Sequence, residues 1–159
     1  MALFSKNALT QVSGFDNPII AGELVTDQKT FWNLTFANSG TPISLAGATI
    51  SAQILRREVT NLIDTRTGLT FDIADYTPTP TAVTLSITNR NDAAGSFTLV
   101  IDETAWSVIN SDPELNISTV NPVAFSGRIK VGFPITGANP AQDAIIFLLF
   151  LVRSDGIVN

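Results

Sequence analysis

Three pairs of carboxylates are the residues of this chain best suited by type to do chemistry: Asp72 with Asp75, Asp102 with Glu103, and Asp112 with Glu114. Two carboxyl groups about 5–10 Å apart can cleave a glycosidic bond. These pairs sit among Asn, Pro and Thr, the company of turn formers, and nothing in their spacing frames a cleft. The chain has no histidine and no cysteine. It therefore lacks the usual general base near neutral pH, and Ser-His-Asp and Cys-His systems cannot be built from it. Thiolate metal sites and disulfides are excluded as well. Asn89, Asn91 and Asp92 before Gly95 faintly echo a calcium loop, but the alternating ligands and terminal glutamate of such a loop are missing. The segment reads as a hairpin turn. The expectation is a protein that is not an enzyme, with no catalytic residue, no metal ligand and no cofactor.

Two aromatic residues could recognise a ligand instead. Trp32 and Trp106 offer faces on which a sugar ring can stack. Trp32 shares parity with Leu34 and Phe36, which favours a core position. Trp106 lies off the apolar stripe expected for its segment and is the more exposed candidate, although packing is the commoner fate of a tryptophan.

The elements that must position these residues are strands. Trp32, Leu34 and Phe36 alternate with Asn33 and Thr35, and Ala48, Ile50, Ala52 and Ile54 alternate with Thr49, Ser51 and Gln53. Alternation of period two predicts half-buried strands. The same rhythm recurs at Leu69–Ile73, Val83–Thr88, Phe97–Ile101 and Val123–Phe133, with Gly127 a candidate bulge, and a wholly apolar strand at residues 144–152 closes the fold. A weaker strand is expected around Leu24 and Val25. Asp102 or Thr104 can cap a short helix near 103–109, with Ala105, Val108 and Ile109 on its buried stripe. The predicted fold is all-β: an immunoglobulin-like or Greek-key sandwich of seven to nine strands over residues 21–159, preceded by an arm at residues 1–20. Phe4, Phe15, Ile19 and Ile20 are the arm's candidate anchors, on its own domain or on a neighbouring subunit.

The stretch AIIFLLFLV, residues 144–152, is apolar on both parities. An antiparallel strand normally shows one polar face. Its outer face must therefore lie under the arm or a loop, or belong to a subunit interface. At nine residues it is far shorter than the roughly 20 of a membrane helix, and the N-terminus lacks the apolar run of a signal peptide. Charged residues make up 14% of the chain and the net charge is −5. An acidic chain lacks the positive field that nucleic-acid binding requires. The one adjacent basic pair, Arg56-Arg57, reads as a solvated strand end.

From Ser39 to Ile50 the sequence runs SGTPISLAGATI. This resembles the N-terminal β-sandwich domain of phage upper-baseplate and tail-fibre proteins, with Gly40, Thr41, Pro42, Leu45, Gly47 and Arg56 at matching positions. Gly95–Asp102 and Phe147–Gly156 resemble later strands of that family, so the likeness spans about residues 22–156. It implies a structural protein of a tailed-phage virion, assembled in the host cytoplasm. In that family the domain carries a shaft or a receptor-binding module, whereas this sequence stops at Asn159. The expectation is therefore a capsid decoration or cement subunit on the major capsid protein or other virion proteins. Self-association, a tail, baseplate or fibre-adaptor role, and a carbohydrate- or receptor-binding module using Trp106 and the 75–81 loop are the alternatives. Neither nucleic acid nor membrane is an expected partner.

Overall fold

The computed structural model describes residues 17–57, 62–63, 70–71, 82–112, 115, 122–138 and 140–154. Within them the chain forms β1 (Ile19–Val25), β2 (Thr30–Thr35), β3 (Ala37–Asn38), β4 (Thr41–Pro42) and β5 (Thr49–Arg56). Next come β6 (Leu62–Ile63), β7 (Thr70–Phe71), β8 (Val83–Thr84), β9 (Ser86–Asn91) and β10 (Ser96–Ile101). Helix α1 (Glu103–Ile109) leads to β11 (Val123–Phe133) and β12 (Gln142–Arg153).

Eight of the strands make two sheets. One has the order β1-β12-β11-β5-β8 and the other β2-β10-β9, while β3-β4 and β6-β7 form small hairpins. The chain crosses between sheets after β1, after β2, after β8 and after β10, the interleaving of an immunoglobulin-like sandwich. The all-β expectation holds, as does the short helix. Between the sheets lies a continuous core, in which Trp32 of β2 stacks on Phe150 of β12 with ring centroids 5.2 Å apart.

Where the chain crosses, local chemistry explains the route. Val83–Thr88, expected as one strand, is two. β8 pairs with β5, the Leu85 N–H donates to the Ala52 carbonyl, and β9 then pairs with β10 in the other sheet. The β3-β4 hairpin turns at Ser39 and Gly40, both with positive φ, the signature of a tight type I′ turn. Gly95 anchors this hairpin to the β9–β10 turn. A Cβ there would sit 2.7 Å from the Phe36 carbonyl oxygen. Arg90 completes the tie by donating to the carbonyls of Leu45 and Ala48. The SGTPISLAG stretch is thus a backbone brace.

Several expectations are corrected here. Ile19 and Ile20 open β1, which runs parallel to β12, and Ile20 is fully buried in the core. A parallel pairing of strands so far apart in sequence leaves no hairpin signal. Gly127 is not a bulge, because both neighbours of β11 keep continuous register past it. Its missing side chain lets β5 approach instead: a Cβ would collide with the Gln53 carbonyl oxygen and lie 2.7 Å from Ile54 Cα. Arg56 is not a solvated strand end. Its parity turns it inward, where Nε donates to Asp112 at 2.8 Å and the guanidinium also donates to the Arg57 carbonyl. Phe4 and Phe15 lie outside the described residues, as do Asp72, Asp75, Glu114 and the 75–81 loop.

Two stability predictions follow from this packing. Gly127→Ala forces β5 away from β11, and thermal unfolding will show a loss of about 3 kcal/mol or more, at the upper end for single substitutions. Asp112→Ala leaves a buried guanidinium without its carboxylate and costs about 3–5 kcal/mol in urea denaturation, whereas Arg56→Met with Asp112→Leu recovers most of the loss.

Candidate functional site

Of the candidate carboxylates, Asp102, Glu103 and Asp112 lie among the described residues, and each has a partner of its own. Asp102 is the N-cap of α1: it accepts from the Ala105 N–H at 2.9 Å and from the Ser86 hydroxyl. Glu103 meets Lys29 at 2.8 Å on the open surface. Such an exposed pair stabilises little. Asp112 is taken by Arg56 in the interior. Asp102 and Glu103 line one open depression of about 390 Å³ beside Lys29, but there Asp102 caps α1 and Glu103 is paired with Lys29. Among the described residues, no group of three or more His, Cys, Asp and Glu could hold a metal ion. Helix α1 has seven residues, and no described helix is long and apolar enough to cross a membrane.

Trp106 is corrected as an exposed platform. It is 2% exposed, and its indole N–H donates to the Gln28 carbonyl at 2.9 Å. The buried stripe of α1 is Ala105, Trp106 and Ile109, with Val108 only half-buried. Trp32 is equally buried, and its indole N–H finds no partner among the described atoms. Neither tryptophan can stack on a ligand at the surface.

What the surface does offer is the outer face of the five-stranded sheet. Register with β11 sends Ile146, Leu148, Phe150 and Val152 of β12 into the core, and all four are buried. The opposite parity, Phe147, Leu149 and Leu151, points outward at 39%, 41% and 42% exposure. Leu55 of β5 joins them on the same face at 40%. Between these apolar rows runs the outer face of β11, which carries the small residues Ala124 and Ser126. Large side chains on the flanking strands and small ones on the middle strand make a trough. It appears as an open depression of about 620 Å³, with Ile19, Leu55, Phe147 and Leu149 on its walls and Ser126 in its floor.

Two cations border the trough. Arg128 stands beside Phe147 on one side of Ser126, and Arg57 follows Leu55 on the other. Both are exposed. Among the described residues neither has an ion-pair partner, whereas Arg153 of the same face is engaged by Glu23 and Lys130 by Asp143. Sequence reasoning saw that β12 was apolar on both faces but did not see the trough. Its signal was present in the alternation of Ala124, Ser126 and Arg128 opposite Leu151, Leu149 and Phe147.

The N-cap generates a pH prediction. The Ser86 hydroxyl and then the Ala105 N–H hold the Asp102 carboxyl below its ordinary range. A lowered folded-state pKa adds stability above the unfolded-state value and loses it as pH falls through the folded-state value. Asp102→Ala should therefore cost about 1 kcal/mol near neutral pH, and the gap from wild type should close as pH drops below about 4. Urea denaturation at several pH values measures this. No protein-family model matches the chain, and no curated protein is significantly similar to it.

Proposed function

We propose that this chain is a non-enzymatic structural subunit of a tailed-phage virion, which binds a neighbouring virion protein through the outer face of its five-stranded sheet. The observation that carries the binding half of this reading is the row Phe147, Leu149 and Leu151 with Leu55, four large apolar side chains exposed on one face. Single exposed apolar residues are ordinary, but a group of them on one sheet face is the mark of an interaction site. The energy would come from removing that apolar surface from water. The virion half rests on the resemblance of the Ser39–Ile50 brace and the later strands to the phage sandwich domain. A seat on the head shell as a decoration subunit is the first form of the proposal, and a place in the tail or baseplate is the second. A glycan-binding role has lost its aromatic platform with the burial of Trp106.

The test combines location with a surface variant. Cryo-EM of particles should find the subunit on the head shell; density only at the tail tip moves it to the second form, and its absence from particles removes the virion reading. Phe147→Ser with Leu149→Ser and Leu151→Ser should change folding stability by about 0.5 kcal/mol per site or less, as for other surface substitutions. The same triple variant should fail to enter particles. Normal incorporation of the folded variant would exclude this face as the binding surface.

A further inference from the structure

We infer that the occupant of the trough is an extended segment of another protein with the pattern acid-x-apolar-x-acid, its apolar side chain seated over Ser126 and its two carboxylates on Arg128 and Arg57. This rests on the reading of the outer face as a binding surface and specifies the chemistry of the partner.

The pattern comes from the register. Ser126 lies opposite Leu149 on one side and Leu55 on the other. The same-face neighbour of Ser126 toward the start of β12 is Arg128, opposite Phe147. In the other direction comes Ala124, opposite Leu151, and the Arg57 N–H donates to the Ala124 carbonyl. The two guanidiniums therefore flank the apolar seat, one row before it and one row after. Same-face residues of a strand recur about every 7 Å. An extended segment laid along β11 meets these rows with its residues i, i+2 and i+4. Its middle side chain fills the space left by Ser126, and its outer two meet the cations.

Charge decides between occupants. The chain as a whole is acidic, with fourteen Asp and Glu against nine Lys and Arg. Yet the cations at this trough are the ones without a carboxylate among the described residues, while Glu23 and Asp143 on the same face are already engaged. A second copy laid face to face brings two further guanidiniums and no unengaged carboxylate from the described part of that face. The chain's own residues 1–16 precede the trough residue Ile19 in sequence, but they carry one carboxylate, Asp16, offset by Lys6, where the trough presents two guanidiniums. A partner that supplies two carboxylates around an apolar residue satisfies both guanidiniums, each able to take a carboxylate bidentately. Such complementarity fixes register and rejects wrong partners.

The probe is a blocked heptapeptide, Ser-Asp-Thr-Leu-Thr-Asp-Ser, titrated into the isotopically labelled full chain and followed by amide chemical shifts. Its counterpart carries lysine in place of both aspartates. The expected result is shifts centred on Ser126, Arg128, Phe147 and Leu149, with affinity for the acidic peptide at least about tenfold above the lysine peptide. Arg57→Glu with Arg128→Glu should reverse that preference. Equal binding of both peptides, no binding, or shifts elsewhere would overturn the inference. A rise in peptide affinity with Phe4→Ser and Phe15→Ser would assign the trough to the chain's own first residues. A concentration-dependent dimer abolished by Leu149→Asp would assign it to a second copy. Either result also overturns the inference. These measurements use purified protein, so absence of the subunit from particles would sink the virion reading alone.

Discussion

The ladder between β11 and β12 is the constraint on which the rest of this molecule depends. It runs through eleven consecutive pairs, from Val123 with Val152 to Phe133 with Gln142. A strand's side chains alternate, so a slip of one residue would exchange its two faces. β12 is apolar on both parities and does not resist such a slip by its own composition. The choice is made by β11. Its inward residues Phe125, Ile129 and Val131 are buried, while Ser126, Arg128 and Lys130 cannot enter the core without leaving polar groups unsatisfied. Gly127 adds a second lock, since only a residue without a Cβ can lie against Gln53 and Ile54 of β5. The core and the exposed row on β12 are consequences of the same register.

The ends of the sandwich are closed by polar contacts where the apolar core runs out. Arg56 occupies the last inward position of β5, and Asp112 follows α1, so their buried pair ties the strand to the crossing between the sheets. Two charges in the interior are costly unless each is fully engaged. Here the guanidinium also donates to the Arg57 carbonyl. At the other end, the Gly95 carbonyl accepts from the Phe36 N–H, and Arg90 donates to the carbonyls of Leu45 and Ala48. The Ser39–Gly47 brace therefore contributes to architecture, and the exposed apolar row lies on the five-stranded sheet.

Much of this was legible in the sequence wherever a strand had one polar face. Trp32–Leu34, Ala52–Ile54 and Phe97–Ile101 announce both their type and their inward side. The residues that misled share a different physics. Ile20 read as an anchor of an arm because its partner, Leu148, lies at the far end of the chain and a parallel pairing needs no turn between them. Arg56 read as solvated because charge is usually exposed, and a buried partner 56 residues away leaves no local trace. Trp106 read as exposed because a stripe was drawn through Val108. A seven-residue helix has room to turn its tryptophan under the Gln28 loop instead, where the indole N–H finds a carbonyl.

The trough itself was beyond any single-strand reading, because it exists only when three strands are laid side by side. Ser126 between Leu149 and Leu55 is unremarkable in each strand taken alone. In register, a small residue between two large ones is a seat, and Arg128 and Arg57 stand on either side of it. The four exposed apolar side chains would be safer for a lone protein if replaced by Thr or Ser, since exposed apolar sheet surface invites association. The two guanidiniums limit that association to partners that bring carboxylates, because an unmatched apolar surface would have to desolvate them without compensation. Apolar area supplies the attraction, and the cations decide what may use it.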